Sequence, residues 1–360
     1  MSKGKWIMPF LASLLLLAGC SAKTPAPSAT STATPEAKPA PTASATPAAP
    51  RAKVSMAIGG AKNSMIFLVP VFAQANKDFE NQNLELDLVE TKGGSQAAQA
   101  LVSGQVDFAS LSMEHAIKAK AQGVDVVMLD IYTLVPTVTI VVDSKYKDQV
   151  KSPSDLKGMK IGITSPGSGS HQALLSLLAK YGLKATDVEI IGVGTATMPE
   201  ALTSGKIQAA ANYDPFITQV TSTGAAYVLW DLRTMKDTKE LYGSEYPFVG
   251  LATRRDVIEK NPDLVQRVVN AHLSAQKFMT SNSAEMIASK LSSDVKGSDE
   301  ALYVAALKLN LEALSPNGKA STTGLQKVID NLKKDGAIPA ATAITPEQVL
   351  DAQYIAKAGN

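Results

Sequence analysis

The chain carries few side chains in the arrangements that enzymes use for chemistry. Its three histidines, His115, His171 and His272, show none of the spacings of metal sites, so we expect no metal. The single cysteine, Cys20, excludes a disulfide framework, a thiolate zinc site and an iron–sulfur cluster. Ser170 beside His171 could pair a nucleophile with a base, but neighbouring residues at a helix start diverge and no third partner is evident. These residue types favour binding over catalysis, and they indicate no cofactor.

Three loops rich in glycine, serine and threonine offer hydrogen-bond donors instead, at residues 93–96, 167–170 and 195–197. Such a loop before a helix presents backbone N–H groups, hydroxyls and the positive end of the helix dipole. No arginine occurs between Arg51 and Arg233, so amides and hydroxyls must bind any anionic group. Any one loop could be only a helix cap, whereas three loops at one cleft indicate a ligand site. The expected donors are Gly94, Ser95, Ser168, Gly169 and Ser170.

Two acids and two tyrosines are expected near these loops. If Glu114 or Asp214 reaches the ligand, its carboxylate disfavours an inorganic anion and favours an amine or a donating ring nitrogen. Glu114 could instead complement a helix N-terminus, and Asp214 could brace its own turn. Tyr132 and Tyr213 are expected to sandwich a flat ring. The full set of expected ligand contacts is Asn63, Gly94, Ser95, Gln96, Ser112, Glu114, Tyr132, Ser168, Gly169, Ser170, His171, Thr197, Asn212, Tyr213 and Asp214.

Alternating strands and helices must position these residues. The apolar patterns predict strands at residues 54–58, 84–90, 106–111 and 124–129, with a helix between each pair. Repeated β-α-β units predict an α/β fold with mainly parallel sheets covered on both faces. Ligands bind outside the carboxyl ends of the strands in such sheets. The glycine-rich and serine-rich loops lie at those ends.

The pattern repeats once along the chain. Residues 100–106 (ALVSGQV) match residues 201–207 (ALTSGKI) at an offset of 101. This similarity could be a coincidence between two helix–Ser-Gly–strand turns. The alternative is a pair of related α/β lobes whose loops face a shared cleft. His272 belongs to a later helical stretch, and its spacing indicates a packed face rather than a ligand.

Two β-rich segments are expected to link the lobes. Residues 137–142 (TVTIVV) read as the first crossover strand and residues 247–253 (PFVGLAT) as the return. We therefore expect lobe 1 to comprise residues 51–141 and 252–360, and lobe 2 to comprise residues 142–251. Two such crossings also predict closure of the lobes about a hinge.

The first 50 residues read as an export signal and a tether. Residues 1–19 combine a basic start with an apolar run too short to span a bilayer, which is typical of a signal peptide. Leu17-Ala18-Gly19-Cys20 resembles a bacterial lipobox, so we expect Cys20 to be lipidated, although an ordinary signal peptide is the alternative. Residues 20–50 are rich in proline, alanine, serine and threonine, which predicts a disordered tether. The head is thus expected on a membrane, facing the periplasm or the cell exterior.

The charge balance excludes one class of partner. The chain has 35 basic and 33 acidic residues, and removal of Lys3 and Lys5 with the leader leaves the two signs equal. A neutral chain in which only 5% of residues are aromatic lacks the footprint of a nucleic-acid-binding protein. We expect a monomer that binds a small molecule.

Several motifs together resemble the bacterial nitrate/sulfonate/taurine and thiamine-pyrimidine-precursor binding proteins. The run Gly104-Gln105-Val106-Asp107-Phe108-Ala109 is similar to a strand of that family. Residues 151–162 and 166–171 are also similar, as are Tyr213-Asp214-Pro215-Phe216 and the stretch from Thr253 to Val265. The resemblance covers residues 53–355 in order. It implies two lobes in a type II periplasmic-binding fold that delivers solute to an ABC permease and its ATPase.

The chain departs from the family where the ligand should lie. Ser112-Met113-Glu114-His115 replaces the usual small or proline residues after the third strand, and Tyr213 stands where a tryptophan often occurs. The family's substrate therefore does not transfer directly. We expect an amino-bearing sulfonate or a small nitrogen heterocycle rather than nitrate. The alternatives are an exported enzyme on the same scaffold, although the cysteine cluster of the similar fungal thiamine-pyrimidine synthase is absent, and an adhesin or sensor head.

Overall fold

The computed structural model describes residues 50–358. The predicted signal peptide, the predicted lipidation site at Cys20 and almost all of the predicted tether lie outside the described residues. Within the described part, no helix is both long and apolar enough to cross a membrane.

Five strands form the first sheet, in the order β2-β1-β3-β10-β4. Strands β1 and β2 are parallel, with Val54 opposite Leu86, and β10 alone runs antiparallel to its neighbours β3 and β4. All five residues of β3 are buried, as expected for a strand covered on both faces. This sheet and its helices are called lobe 1. The strands are β1 Ala52–Ile58, β2 Leu84–Glu90, β3 Phe108–Ser112, β4 Val126–Met128 and β10 Val249–Arg254.

The second sheet has the corresponding order, β7-β6-β8-β5-β9, and is called lobe 2. Here β5 alone is antiparallel, pairing with β8 and β9. In each sheet the one antiparallel strand is the first that the chain forms after leaving the other sheet: β5 follows β4, and β10 follows β9. The two sheets confirm the predicted two-lobed, mainly parallel α/β architecture. The strands are β5 Thr139–Asp143, β6 Lys160–Ile163, β7 Glu189–Gly192, β8 Ala209–Asn212 and β9 Ala226–Asp231.

Helices cover both sheets, and local sequence explains their ends. In the longest, α10, Pro262 occupies the first turn and Asn261 accepts a hydrogen bond from the Leu264 N–H. Its buried face includes Val265, Val269 and His272, as the helical spacing predicts. The α-helices are α1 Leu68–Ala75, α2 Asp78–Asn81, α3 Gly94–Val102, α4 Met113–Ala121, α5 Gly169–Lys180, α6 Met198–Thr203, α7 Phe216–Ser222, α8 Met235–Tyr242, α9 Arg255–Lys260, α10 Pro262–Ser281, α11 Ala284–Lys290, α12 Ser293–Lys296, α13 Glu300–Asn310, α14 Thr322–Lys334, α15 Pro346–Val349 and α16 Gln353–Ala358. Short 3-10 helices occupy Met65–Phe67, Ser144–Tyr146, Pro153–Leu156, Ala185–Asp187 and Leu311–Ala313.

The sequence repeat has the same backbone geometry in both lobes. Ser103 and Ser204 end α3 and α6 with identical backbone angles, φ −77° and ψ −7°. The next residues, Gly104 and Gly205, both have φ 77°, a left-handed conformation that glycine adopts without strain. Each turn then leads into the third strand of its sheet.

The chain passes between the sheets from β4 to β5 and again between β9 and β10. In the first passage Thr137 has φ 53°, which is rare for a β-branched residue. Its N–H donates to the carbonyl of Leu232, just after β9. The lobe boundaries inferred from the sequence remain a proposal.

Candidate functional site

Eight of the sixteen buried polar side-chain atoms that lack a hydrogen-bond partner in the described part of the chain lie at the carboxyl ends of the strands. They lie on the segments that follow β1, β3, β6, β7 and β8, so both lobes contribute. None has a hydrogen-bond partner among residues 50–358. The atoms are Asn63 Oδ1, Ser64 Oγ, Ser112 Oγ, Glu114 Oε2, His115 Nε2, Ser165 Oγ, Thr195 Oγ1 and Asn212 Oδ1.

Direct contacts bring these segments of the two lobes together. The Ser95 hydroxyl donates to the carbonyl of Pro166, 2.8 Å away, and Lys118 Nζ donates to the carbonyl of Gly167 at 3.1 Å. The N–H of Met65 donates to the carbonyl of Asp214 at 2.8 Å. The two sets of loops therefore form the opposing walls of one cleft, which we call the interlobe cleft.

Close approaches explain two of the predicted glycines. A side-chain carbon at Gly94 would lie 2.7 Å from His115 Nε2. One at Gly169 would lie 2.3 Å from Cζ of Phe248. Neither position has room for a side chain, so the first turns of α3 and α5 pack directly against the cleft.

The hydroxyls at the start of α5 bond mainly to one another. Thr164 Oγ1 lies 2.9 Å from Ser168 Oγ and 3.0 Å from Ser170 Oγ, and the two serine oxygens are 3.1 Å apart. Ser168 also accepts from the N–H of His171, which caps the helix. The sequence predicts Ser168 and Ser170 as ligand donors, whereas the structure shows their hydroxyls engaged within the loop.

The Ser170–His171 pair is not arranged as a nucleophile and base. Ser170 bonds to the neighbouring hydroxyls, and His171 Nδ1 accepts from the N–H of Gly167 at 2.9 Å. Burial and the charge of Lys118 both lower the pKa of His171. No group of three histidine, cysteine or acidic side chains within residues 50–358 is placed to hold a metal ion.

Glu114 is a buried carboxyl at the start of α4. Its Oε1 accepts from the hydroxyl of Tyr246 at 2.9 Å, while Oε2 is among the unpartnered atoms. Burial raises the pKa of Glu114 to about 7, although the nearby charge of Lys118 opposes that rise. The next residue, His115, is neutral, because burial and Lys118 lower its pKa to about 3. Lys118 itself has a lowered pKa because it is largely buried.

Aromatic rings pack together near Glu114. The ring centroids of Tyr213 and Phe248 are 6.5 Å apart, as are those of Tyr246 and Phe248. Tyr242 stacks on Tyr246 at 3.9 Å. Burial, followed by the charge of Glu114, raises the pKa values of all three tyrosines. These tyrosines therefore stay neutral.

Asp214 braces the protein, which is one of the two roles left open by the sequence. Its Oδ1 accepts from the N–H and the hydroxyl of Thr218, at 2.9 and 2.7 Å. Its Oδ2 accepts from Arg233 Nη1 and Asn310 Nδ2, both at 2.8 Å. Arg233 also bonds to Asp231. Both Asp214 oxygens are thus engaged by protein donors.

Tyr132 lies in the core beside Ser110. It is fully buried in lobe 1, bonded to the hydroxyl of Ser110 and to the carbonyl of Ile66. Its ring is tilted toward His272, with centroids 6.2 Å apart. These contacts place the Tyr132 ring in the core, and its part in a sandwich around a flat ring stays a prediction.

The side chains of two further predicted contacts bond to backbone groups four residues earlier in the chain. Gln96 Oε1 accepts from the N–H of Lys92 at 3.0 Å, and the Thr197 hydroxyl donates to the carbonyl of Val193. Both residues nevertheless line a cavity of about 630 Å³ that also includes Ala61 of lobe 1. This cavity contains segments of both lobes.

Sequence reasoning missed several residues of the cleft. His115 directly follows Glu114, and Thr195 lies in the same loop as the predicted contact Thr197. For Phe248 the sequence predicts only a position in a strand. A search for polar residues in the segments that follow the strands of both lobes would have found Ser64, His115, Ser165 and Thr195. The missed residues are Ser64, His115, Ser165, Thr195, Tyr246 and Phe248.

Comparisons with known proteins agree with this architecture. A family model described as NMT1/THI5 like matches residues 67–286. A protein of Escherichia coli (strain K12) described as an aliphatic sulfonates-binding protein is 28% identical over 220 residues, which cover 61% of this chain and 66% of that protein. The match thus spans just under two thirds of that relative.

Solved structures show the same fold. A protein from Bordetella bronchiseptica RB50 superposes with a TM-score of 0.79 at 32% identity, covering 86% of this chain and 97% of the other. The alkanesulfonate-binding protein SsuA from Xanthomonas axonopodis pv. citri, bound to MOPS, gives a TM-score of 0.65 at 22% identity, covering 86% and 99%. The second likeness concerns the fold alone.

Proposed function

Because the chain belongs to the NMT1/THI5-like family, we propose that it is the extracytoplasmic solute-binding lipoprotein of an ABC importer. It captures a small ligand between two closing lobes and passes it to a permease driven by an ATPase. Two of the similar proteins are described as aliphatic sulfonates-binding and alkanesulfonate-binding proteins, which supports this proposal. The protein is a receptor rather than an enzyme.

One observation carries the proposal: polar atoms at the carboxyl ends of the strands of both lobes are buried without a hydrogen-bond partner among residues 50–358. A buried polar group that lacks a hydrogen bond costs about 1–3 kcal/mol, so several at one place favour a ligand that bonds to them. The carboxyl ends of the strands are also where ligands bind in open α/β sheets. The ligand we propose is a small sulfonate, an amino-sulfonate or a nitrogen heterocycle.

The location follows from the leader as well as from the family. We propose that residues 1–19 are removed, that Cys20 carries acyl chains, and that residues 20–50 tether a monomeric head to the membrane. One acyl chain binds a membrane only marginally, so two or three chains would be needed for stable attachment.

Mass spectrometry of small molecules that co-purify with the native protein tests the function. We expect one stoichiometric ligand, recovered chemically unchanged, and calorimetric rebinding of that molecule. If the ligand is converted on incubation, the protein is an enzyme. If no small molecule co-purifies or binds, the proposal fails.

Cell fractionation tests the anchor separately. Cys20→Ser should give an unlipidated precursor or a released form, whereas the wild type stays with membranes. Ser21→Ala is the matched control. If Cys20→Ser sediments with membranes as the wild type does, the anchor is wrong while the binding function remains.

A further inference from the structure

The amide of Asn212 has a fixed orientation. Its Nδ2 donates to the carbonyl oxygen of Thr195 at 3.1 Å, and a carbonyl only accepts. Its Oδ1 must therefore present lone pairs, and this atom is buried without a partner in the described part of the chain. Asn212 ends β8, at the carboxyl edge of the lobe 2 sheet. The cleft thus offers a buried acceptor here that requires a donor from elsewhere.

In its ionised form, Glu114 supplies a second free acceptor from lobe 1. Tyr246 already donates to Oε1, and the buried Oε2 has no hydrogen-bond partner of good geometry within residues 50–358, although the unpartnered hydroxyl of Ser112 lies nearby. Lys118 is the cation near this carboxyl, but its Nζ donates to the carbonyl of Gly167. An ionised Glu114 is therefore only partly compensated.

The cleft does not offer an arginine to balance an anion. The chain has no arginine between Arg51 and Arg233. Arg233 is engaged by Asp214 and Asp231, and Arg51 pairs with Glu80. Aromatic rings of Tyr213 and Phe248 stand near Glu114 instead, and such rings favour flat or cationic groups.

We propose that the ligand presents an amine, or an amino-substituted ring, to Asn212 Oδ1 and Glu114 Oε2. This inference rests on the proposed receptor function and narrows its ligand class. Unsubstituted alkanesulfonates and nitrate lack these donors, so they leave both acceptors buried and unpaired. The amino group is thus the feature by which the cleft selects.

Matched probes test the inference. Calorimetry compares taurine with ethanesulfonate and 4-aminopyrimidine with pyrimidine, and the co-purifying molecule is identified by mass spectrometry. We expect an N–H donor in the co-purifying molecule. We expect the amino member of at least one pair to bind about tenfold tighter or more, as for hydrogen bonds to charged groups.

Variants connect the preference to the two acceptors. Glu114→Gln and Asn212→Leu should reduce the difference in affinity between the amino and the unsubstituted member of a probe pair. The exposed control Glu259→Gln should leave that difference unchanged. If either variant fails to fold, the wild-type probe pairs and the native ligand still decide. A native ligand without N–H groups, or equal affinity within the pairs that bind, overturns the inference but keeps the receptor. If no probe binds and nothing co-purifies, the receptor function itself is wrong.

Discussion

The hydroxyl of Ser95 in lobe 1 donates a hydrogen bond to the carbonyl of Pro166 in lobe 2, 2.8 Å away. Lys118 makes the adjacent contact, to Gly167. Both bonds lie between lobes that are linked by only two passages of chain. They are therefore available to hold the lobes together when the cleft closes, and they need not touch the ligand.

Removal of the Ser95 hydroxyl should weaken retention of every ligand equally. Ser95→Ala loses one neutral hydrogen bond, which is worth about 0.5–1.5 kcal/mol, so the Kd should rise roughly 2- to 12-fold. The loss should appear mainly as faster dissociation in stopped-flow measurements, because the bond forms after encounter. Ser103→Ala at the exposed end of the same helix is the control. A loss confined to one ligand chemistry would instead make Ser95 a ligand contact, as the sequence predicts.

Glu114 should make stability depend on pH. Its folded pKa is about 7 against an ordinary value of 4.5, so between these values the folded state binds more protons than the unfolded state. The free energy of unfolding should therefore fall as pH rises through this window, by up to about 3 kcal/mol from this group. Glu114→Gln removes that slope and should gain stability relative to the wild type toward pH 8, as measured by denaturant unfolding. A wild-type–variant difference that is constant with pH would contradict the prediction, and Glu259→Gln controls for loss of charge.

Asp214 should matter for stability rather than for ligand choice. Asp214→Asn removes the charge that faces the buried Arg233, and breaking a buried pair costs about 3 kcal/mol or more. Thermal unfolding should show a clear loss, while the relative affinities of different ligands stay the same at temperatures where the variant is folded. Asp263→Asn, which breaks the exposed pair with Arg267, should change little. Altered ligand selectivity in Asp214→Asn would instead show that Asp214 contributes to ligand binding.

Local sequence pattern was sufficient to predict the fold but not the contacts of the binding site. Alternation of apolar residues and the Ser-Gly turns are local signals, so the strands and the repeat could be predicted within a few residues. The role of Asp214 depends on Asn310, which is 96 residues away, and on Arg233, which enters from a different strand end. The sequence offers Tyr132 as a partner of Tyr213 around a flat ring, whereas its hydroxyl bonds to Ser110 and Ile66 in the core. Such pairings are set by tertiary packing, which a single sequence does not display.

Ligand should compact the protein. The lobes are linked by the passages between β4 and β5 and between β9 and β10, and few residues in two such passages need to change for a rigid-lobe rotation. The interlobe bonds of Ser95 and Lys118 form only when the lobes approach, so a ligand that bonds to both walls should favour the closed state. Small-angle scattering of the soluble head should show a smaller radius of gyration with the saturating co-purified ligand than after its removal. Ser95→Ala combined with Lys118→Met should need more ligand to reach the same compaction, whereas Ser103→Ala should match the wild type. An identical radius of gyration with and without ligand would contradict closure, because the bonds between the walls would then persist whether or not a ligand is bound.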